Sequence, residues 1–398
     1  MRQIGNRIAM STSAGSSAGP LAAVLVGAVL VGGAPGIVAT AFAAQAPRSP
    51  TPAASEAPTR PTAFARNLER PWAIEFLPDG RLLVTERAGR MRIIEKDGRV
   101  GPALAGVPEV LARGQGGLLD IILSPTFADD RRIWFSYAEP GAEGSGTSVA
   151  RARLGERGLE EVQVVWRQTR RTQGANHWGS RLAFARDGSL FVTLGDRFGY
   201  RDEAQDLGVT IGKVVRIMPD GTVPKDNPFV GRAGARPEIW SYGHRNIQAA
   251  AVDPRDGSLW TVAHGARGGD ELDRPEAGKN YGWPVITYGV DYSGAKIGIG
   301  TERDGMEQPV YYWDPVIAPS GAEFYTGERY RGWKGDLFVG SLAGGLVRLR
   351  IAGGRVTEEA RYLPDIGRVR DVKQGPDGLL YLAIDSSNGA IIRLDPTQ

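Results

Sequence analysis

The chain has only three histidines, and each lies in a segment rich in glycine and other turn formers. They are Asn176-His177-Trp178-Gly179-Ser180-Arg181, Tyr242-Gly243-His244-Arg245-Asn246 and Ala263-His264-Gly265-Ala266-Arg267-Gly268-Gly269-Asp270-Glu271. Imidazole is the side chain best suited to moving protons near neutral pH, and function concentrates on loops that a rigid scaffold holds. For each histidine the plainer role, hydrogen-bonding a loop carbonyl, stays open beside the catalytic one. Two further stretches combine polar side chains with a tight backbone: Gly114-Gln115-Gly116-Gly117-Leu118-Leu119-Asp120 and Leu194-Gly195-Asp196. Common signatures are absent. Gly208-Val209-Thr210-Ile211-Gly212-Lys213-Val214 misses the phosphate loop in spacing and in the hydroxyl after Lys, and no Gly-x-Ser-x-Gly, His-Glu-x-x-His or EF-hand pattern occurs. With no cysteine in the chain, Cys-based metal sites and disulfides are excluded.

The elements that must position these loops repeat along the chain. A Pro/Asp/Gly turn runs at once into a short strand of β-branched and aromatic residues at Pro78–Glu86, Arg186–Leu194, Arg255–Val262, Lys334–Gly340 and Pro376–Ala383, and Asp129–Tyr137 is a glycine-free sixth copy. Asp-Gly between apolar runs is a hairpin signal, and copies about 40 to 80 residues apart suit one multi-strand sheet each. Six copies predict an all-β, six-bladed β-propeller of four-stranded antiparallel sheets, which protects most strand edges. With 55 glycines and 26 prolines, long helices would be interrupted too often for a bundle or α/β fold. A β-sandwich array is the competitor, but it does not predict the repetition.

Residues 1–45 read as a secretory signal peptide: Arg2 and Arg7, the apolar run Leu21–Val31 broken by Gly32, Gly33 and Pro35, then Ala-rich sequence ending near Ala44. A retained membrane anchor is the lesser alternative, so no integral membrane segment is expected after cleavage. Residues 46–61 are Pro-rich with little to bury and read as a linker, leaving 62–398 as the propeller domain. A formal charge of +3, with basic and acidic residues interspersed, disfavours nucleic acid as a partner.

In order and spacing the polar loops, with Asp270-Glu271-Leu272 and Asn280-Tyr281-Gly282-Trp283-Pro284 downstream, resemble the soluble aldose sugar dehydrogenases that use pyrroloquinoline quinone (PQQ), relatives of soluble quinoprotein glucose dehydrogenase. The resemblance spans about Arg70 to Leu394 and implies a six-bladed propeller binding PQQ and Ca2+ at one mouth of its channel, in an exported, periplasmic or secreted protein. It implies an aldose substrate oxidised at the anomeric carbon to a lactone, with electrons passed to an external acceptor. His177 matches the general base, Asp196 the carboxylate that orients it, and Arg245 with Asn246 the residues at the quinone carbonyls. Gln115, Tyr292, Arg368 and Arg370 match further PQQ contacts; PQQ carries three carboxylates, so several arginines are expected. The carbonyls of Gly265 and Ala266 match the cofactor-side calcium site, and Glu271 with the Tyr281 carbonyl a second, structural one. One departure stands out: where relatives often place a cofactor-contacting Lys after Ser-Leu, this chain has Ala343. Two alternatives remain beside the resemblance, a calcium-dependent propeller lactonase and a propeller binding module that has lost its cofactor. Trp178, Trp240, Trp283 and Trp313 are expected between blades, and Asp270, Glu271 and Asp273 in an acidic loop.

Overall fold

All six copies of the repeated unit become the same element, the second strand of a four-stranded antiparallel sheet: Leu82–Glu86, Arg132–Glu139, Leu190–Leu194, Leu259–Ala263, Leu337–Ser341 and Leu380–Ile384. The local cause is the turn before each. In five copies the glycine takes a positive φ (Gly80, Gly188, Gly257, Gly335 and Gly378, 77 to 87°), and in the sixth Arg131 does so at 52°. The Asp side chain closes the turn by accepting the backbone N–H two residues on, as from Asp79 to Arg81 at 3.0 Å and Asp187 to Ser189 at 2.9 Å. The computed structural model describes residues 58–397, and within them six such sheets form a six-bladed β-propeller. The signal-peptide reading falls on residues outside this range, as does most of the linker.

The last blade is closed by the first strand. Thr59–Leu68 pairs with Gly389–Pro396, with Thr59, Arg60 and Pro61 opposite Pro396, Asp395 and Leu394. The boundary read at 61/62 is therefore corrected to Thr59, because those residues find ladder partners at the far end of the chain. No described helix is long and apolar enough to cross a membrane.

The first strands, Pro71–Phe76, Leu118–Leu123, Gly179–Phe184, Ile247–Val252, Pro319–Phe324 and Val369–Gln374, pack against one another in a ring around the channel. Side chains fill the spaces between blades; Trp134, Trp166, Leu182, Leu190 and Val192 form one such layer. Across the channel, buried Arg181 bridges Asp120 and Asp371 at 3.0 Å each, while Asp120 accepts the N–H of Leu182 (2.7 Å) and Asp371 that of Ile74 (2.9 Å). This satisfied triad ties three inner strands together, as a buried charge requires.

In each blade the start of the first strand and the end of the second meet, as Pro71 with Glu86, Gly179 with Leu194, Ile247 with Ala263, Pro319 with Ser341 and Val369 with Ile384. Residues just before a first strand and just after a second strand therefore gather at one end of the propeller. Gln115, His177 and Asn246 occupy the former positions; Arg87, Asp196, His264, Leu342 and Asp385 occupy the latter.

Candidate active site

The histidine that the sequence marks as a base is held in a polar relay. His177 is buried, and its Nδ1 lies 2.6 Å from Asp196 Oδ1. The same oxygen accepts Phe198 N–H (2.8 Å), and Oδ2 accepts the indole N–H of Trp283 (2.9 Å). Asp196 thus has both oxygens committed, which fixes the ring and puts the proton on Nδ1. Nε2 makes no hydrogen bond among the described residues and is the atom free to take a proton. Burial lowers the His177 pKa, opposed by Asp196 and helped by Arg245 and Arg197, so the imidazole stays neutral and basic at neutral pH.

The backbone around this pair is strained. His177 (φ 51°), Ser180 (86°), Arg197 (54°) and Phe198 (64°) all have left-handed backbones without being glycine, at roughly 1–2 kcal/mol each. Arg197 holds the strain in place. It is buried with its guanidinium 3.3 Å from the Trp178 ring centre, and donates to the carbonyls of Asn176 (2.8 Å) and Gly174 (3.2 Å). Burial without a carboxylate partner of its own lowers its pKa to about 9. Gly195 completes the fit, since a methyl there would lie 2.1 Å from the His177 carbonyl oxygen and 3.0 Å from Asn246 Oδ1. Gly195→Ala is expected to displace the His177 loop, lowering the melting temperature through a loss of about 1–3 kcal/mol and turnover by tenfold or more. Calorimetry and steady-state rates measure both, and unchanged values would show that the loop is not held by this contact.

Most of the expected site residues line two cavities, while Gly265, Glu271 and Tyr281 line neither. One is bordered by His177, Asp196, Arg245, Ala266, Trp283 and Tyr292, with Phe198, Arg201 and Asp291 at its open side. The other contains Gln115, Asn246, Gln248, His264, Arg368 and Arg370, together with Arg87. Hydrogen bonds tie their linings together: Gln115 Oε1 accepts the N–H of His177 (2.7 Å), and Asn246 Oδ1 accepts that of Gly179 (3.2 Å). Arg245 is buried beside Trp283 and Tyr292, donates to the carbonyls of His264 (3.1 Å) and Gly265, and has a buried Nε without a partner. Tyr292, 61% exposed, stands on the His177 side; its hydroxyl is 3.4 Å from Arg245.

Arg370 is buried, donating to Asp385 (3.1 Å) and Gln248 (3.1 Å), again with an unpartnered Nε. Arg368 is half exposed and donates to the Leu342 carbonyl (3.1 Å). His244 stacks on Tyr281 and shares a 2.8 Å hydrogen bond with Ser241, while His264 Nε2 bonds the Pro319 carbonyl at 2.6 Å. Burial lowers the pKa of each to about 3, so both are neutral, structural imidazoles, though His264 also lines the arginine cavity.

The acidic segment departs from expectation. Asp270–Asp273 is a strand that buries Asp270 and Asp273, and Asp270 accepts N–H groups of Gly265, Ile317 and Ala318, each at 2.8 Å. Of the four tryptophans expected between blades, Trp283 instead serves the site, and Trp178 combines packing with the stack on Arg197. Trp283, Arg197 and Arg87 are the site residues that sequence reasoning missed. Arg87 had a usable signal, because it directly follows the second strand of its blade, as Asp196 nearly does in its own.

The sequence model described as Glucose / Sorbosone dehydrogenase matches residues 68–393. The chain belongs to that family. It is 45% identical over 337 residues to aldose sugar dehydrogenase YliI of Escherichia coli, covering 83% of this chain and 91% of the relative. The solved structure of soluble aldose sugar dehydrogenase from Escherichia coli in its apo form superposes with a TM-score of 0.83 at 43% identity, over 85% of this chain and 99% of that one. The PQQ-bound aldose sugar dehydrogenase of Streptomyces coelicolor gives 0.70 at 27% identity, over 86% and 100%. The matched span begins inside the closing strand Thr59–Leu68 and ends inside its partner Gly389–Pro396, so family membership covers all six blades and both cavities.

Proposed function

We propose that this family member oxidises the anomeric carbon of an aldose to the lactone, with PQQ as hydride acceptor and an external acceptor taking the electrons. The observation that carries the reading is the junction of two unlike cavities at His177: a proton-accepting relay opens on one, and guanidinium groups with unspent donors face the other. PQQ, when bound, supplies a quinone that takes a hydride. The residues fit it, because the buried Nε atoms of Arg245 and Arg370 lack partners and a tricarboxylate supplies acceptors.

The chain's own residues then have defined tasks. His177 Nε2 takes the proton of the anomeric hydroxyl, and Asp196 stabilises the imidazolium while Trp283 keeps that carboxylate from turning. Arg245 places a fixed cation beside His177, where it stabilises negative charge that develops on oxygen. Gln115 and Asn246 have their side-chain oxygens engaged by backbone N–H groups, which aims their amide nitrogens. Phe198 and Tyr292 give the sugar cavity an apolar rim, suited to the faces of a pyranose.

Calcium fits less evenly. The Gly265 carbonyl already accepts the Arg245 guanidinium, so the residues as placed do not fit a calcium ion on Gly265 and Ala266 while Arg245 stays there. The Glu271 carboxyl is pushed up by burial and then by Asp273 and Asp270, a repulsion that a cation would relieve. Among the described residues no group of three or more acidic or imidazole ligands assembles, so a calcium at Glu271 would draw on backbone oxygens such as that of Tyr281. Export to the periplasm or beyond belongs to the same reading and rests on the N-terminal sequence.

Purified apo-protein should reduce a dye with glucose or another aldose once PQQ and calcium are added, and show no activity without PQQ. Failure to bind PQQ would overturn the proposal, and lactone hydrolysis without PQQ would select the lactonase.

A further inference from the structure

Asp385 sits among more positive charge than it can neutralise. Arg370 donates to it at 3.1 Å, and Arg368 and Arg70 lie 3.6 Å from it. Arg87 adds a fourth guanidinium. It follows the strand Leu82–Glu86, is about half buried and lines the cavity with Arg368 and Arg370; its backbone bonds Arg70 and Leu118, but its guanidinium makes no hydrogen bond or ion pair among the described residues. The remaining charges nearby do not offset it: Asp120 and Asp371 are committed to Arg181, and His264 is neutral. Its position is not loose. The glycine-rich loop packs directly on it, since a methyl on Gly117 would lie 1.9 Å from the Arg87 carbonyl oxygen and 3.0 Å from its Cγ. Arg87 therefore shares a wall with Gln115, the next residue but one along that loop.

A half-buried guanidinium beside like charges and without a hydrogen-bonding partner is unfavourable in the empty protein: burial lowers its pKa, Asp385 opposes this from a distance, and repulsion from Arg70 and Arg368 adds to the lowering. Such an arrangement is expected where an anion completes the charge balance. We infer that Arg87 is a further carboxylate-binding residue of this cavity, contributing a fork to the ligand that Arg368 and Arg370 also hold. With PQQ as that ligand the inference rests on the function proposed above, and three guanidinium groups then face three carboxylates.

The test is a titration of apo-enzyme with PQQ, followed by quenching of tryptophan fluorescence, for wild type, Arg87→Gln and Arg87→Lys. The Kd is expected to rise tenfold or more in Arg87→Gln and less in Arg87→Lys, which keeps charge but loses the fork. The ligand-free Arg87→Gln protein should melt no lower than wild type, because a repelled charge has been removed. A residue that only supports the fold would lower the melting temperature and leave affinity alone. Wild-type affinity in Arg87→Gln, within twofold, overturns the inference; should that variant not fold, an unchanged Kd in Arg87→Lys does so. Benzene-1,3,5-tricarboxylate in calcium-free buffer separates the inference from the identity of the cofactor. If wild type fails to bind PQQ yet is stabilised by this tricarboxylate, and Arg87→Gln is not, the anion site stands and the PQQ reading falls. If neither ligand stabilises wild type, both fall.

Discussion

Replacing His177 by alanine is expected to lower aldose turnover by on the order of 100-fold, equivalent to about 2.7 kcal/mol of transition-state stabilisation, while PQQ still binds. The split follows from where the contacts lie. Arg368, Arg370, Gln115 and Asn246 line the other cavity, and His177 meets Gln115 through its backbone N–H, which alanine keeps. A pH profile adds a second readout. A base works deprotonated, and burial sets the His177 pKa below the ordinary imidazole value, so kcat/KM should climb with pH through that lowered value and be level by neutral pH. The acidic limb should vanish in His177→Ala. Single-turnover reduction across the pH range measures both, and an unchanged rate or a surviving limb would remove His177 as the base.

The order of blades was legible because its signal is local. An Asp-Gly turn needs only its own side chain and a positive φ, and each copy therefore marks a second strand without reference to the rest of the chain. The closing strand was not legible, since Thr59–Leu68 acquires its partner from the opposite terminus; the Thr62 to Asp395 hydrogen bond spans 333 residues. The same distinction runs through the site. His177, Asp196, Arg245 and Asn246 sit in motifs that can be matched as strings, and the structure places them at one end of the propeller.

Arg197 and Trp283 act through contacts that only the fold creates. Arg197 lies on the ring of Trp178, 19 positions earlier, and Trp283 reaches Asp196 from 87 positions later. The acidic segment misleads for a related reason. Read alone, Asp270, Glu271 and Asp273 look solvated, but the N–H groups that satisfy Asp270 come from Gly265 and from Ile317 and Ala318 of the next blade.

Asp196→Asn tests whether the relay depends on charge and proton placement or merely on shape. The carboxylate accepts three hydrogen bonds, from His177 and Phe198 at one oxygen and from Trp283 at the other. An asparagine has one acceptor atom and must turn its NH2 toward one side. Facing Trp283, that group meets another donor in a buried place, at about 1–3 kcal/mol. Facing His177, it meets Phe198 N–H as a second donor and forces the imidazole proton onto Nε2, the atom that must be free to accept the sugar's proton. Either way the imidazolium loses its counter-charge. Turnover is expected to fall by roughly 10²–10⁴-fold, as for other bases deprived of their orienting carboxylate, with the Kd for PQQ changed little because the arginine wall is untouched. Asp196→Glu should not restore it, since the longer side chain displaces the carboxylate from the indole of Trp283. Pre-steady-state reduction with bound PQQ separates the chemical step from reoxidation. A loss of less than tenfold in that step would assign Asp196 to the fold and leave His177 to work alone.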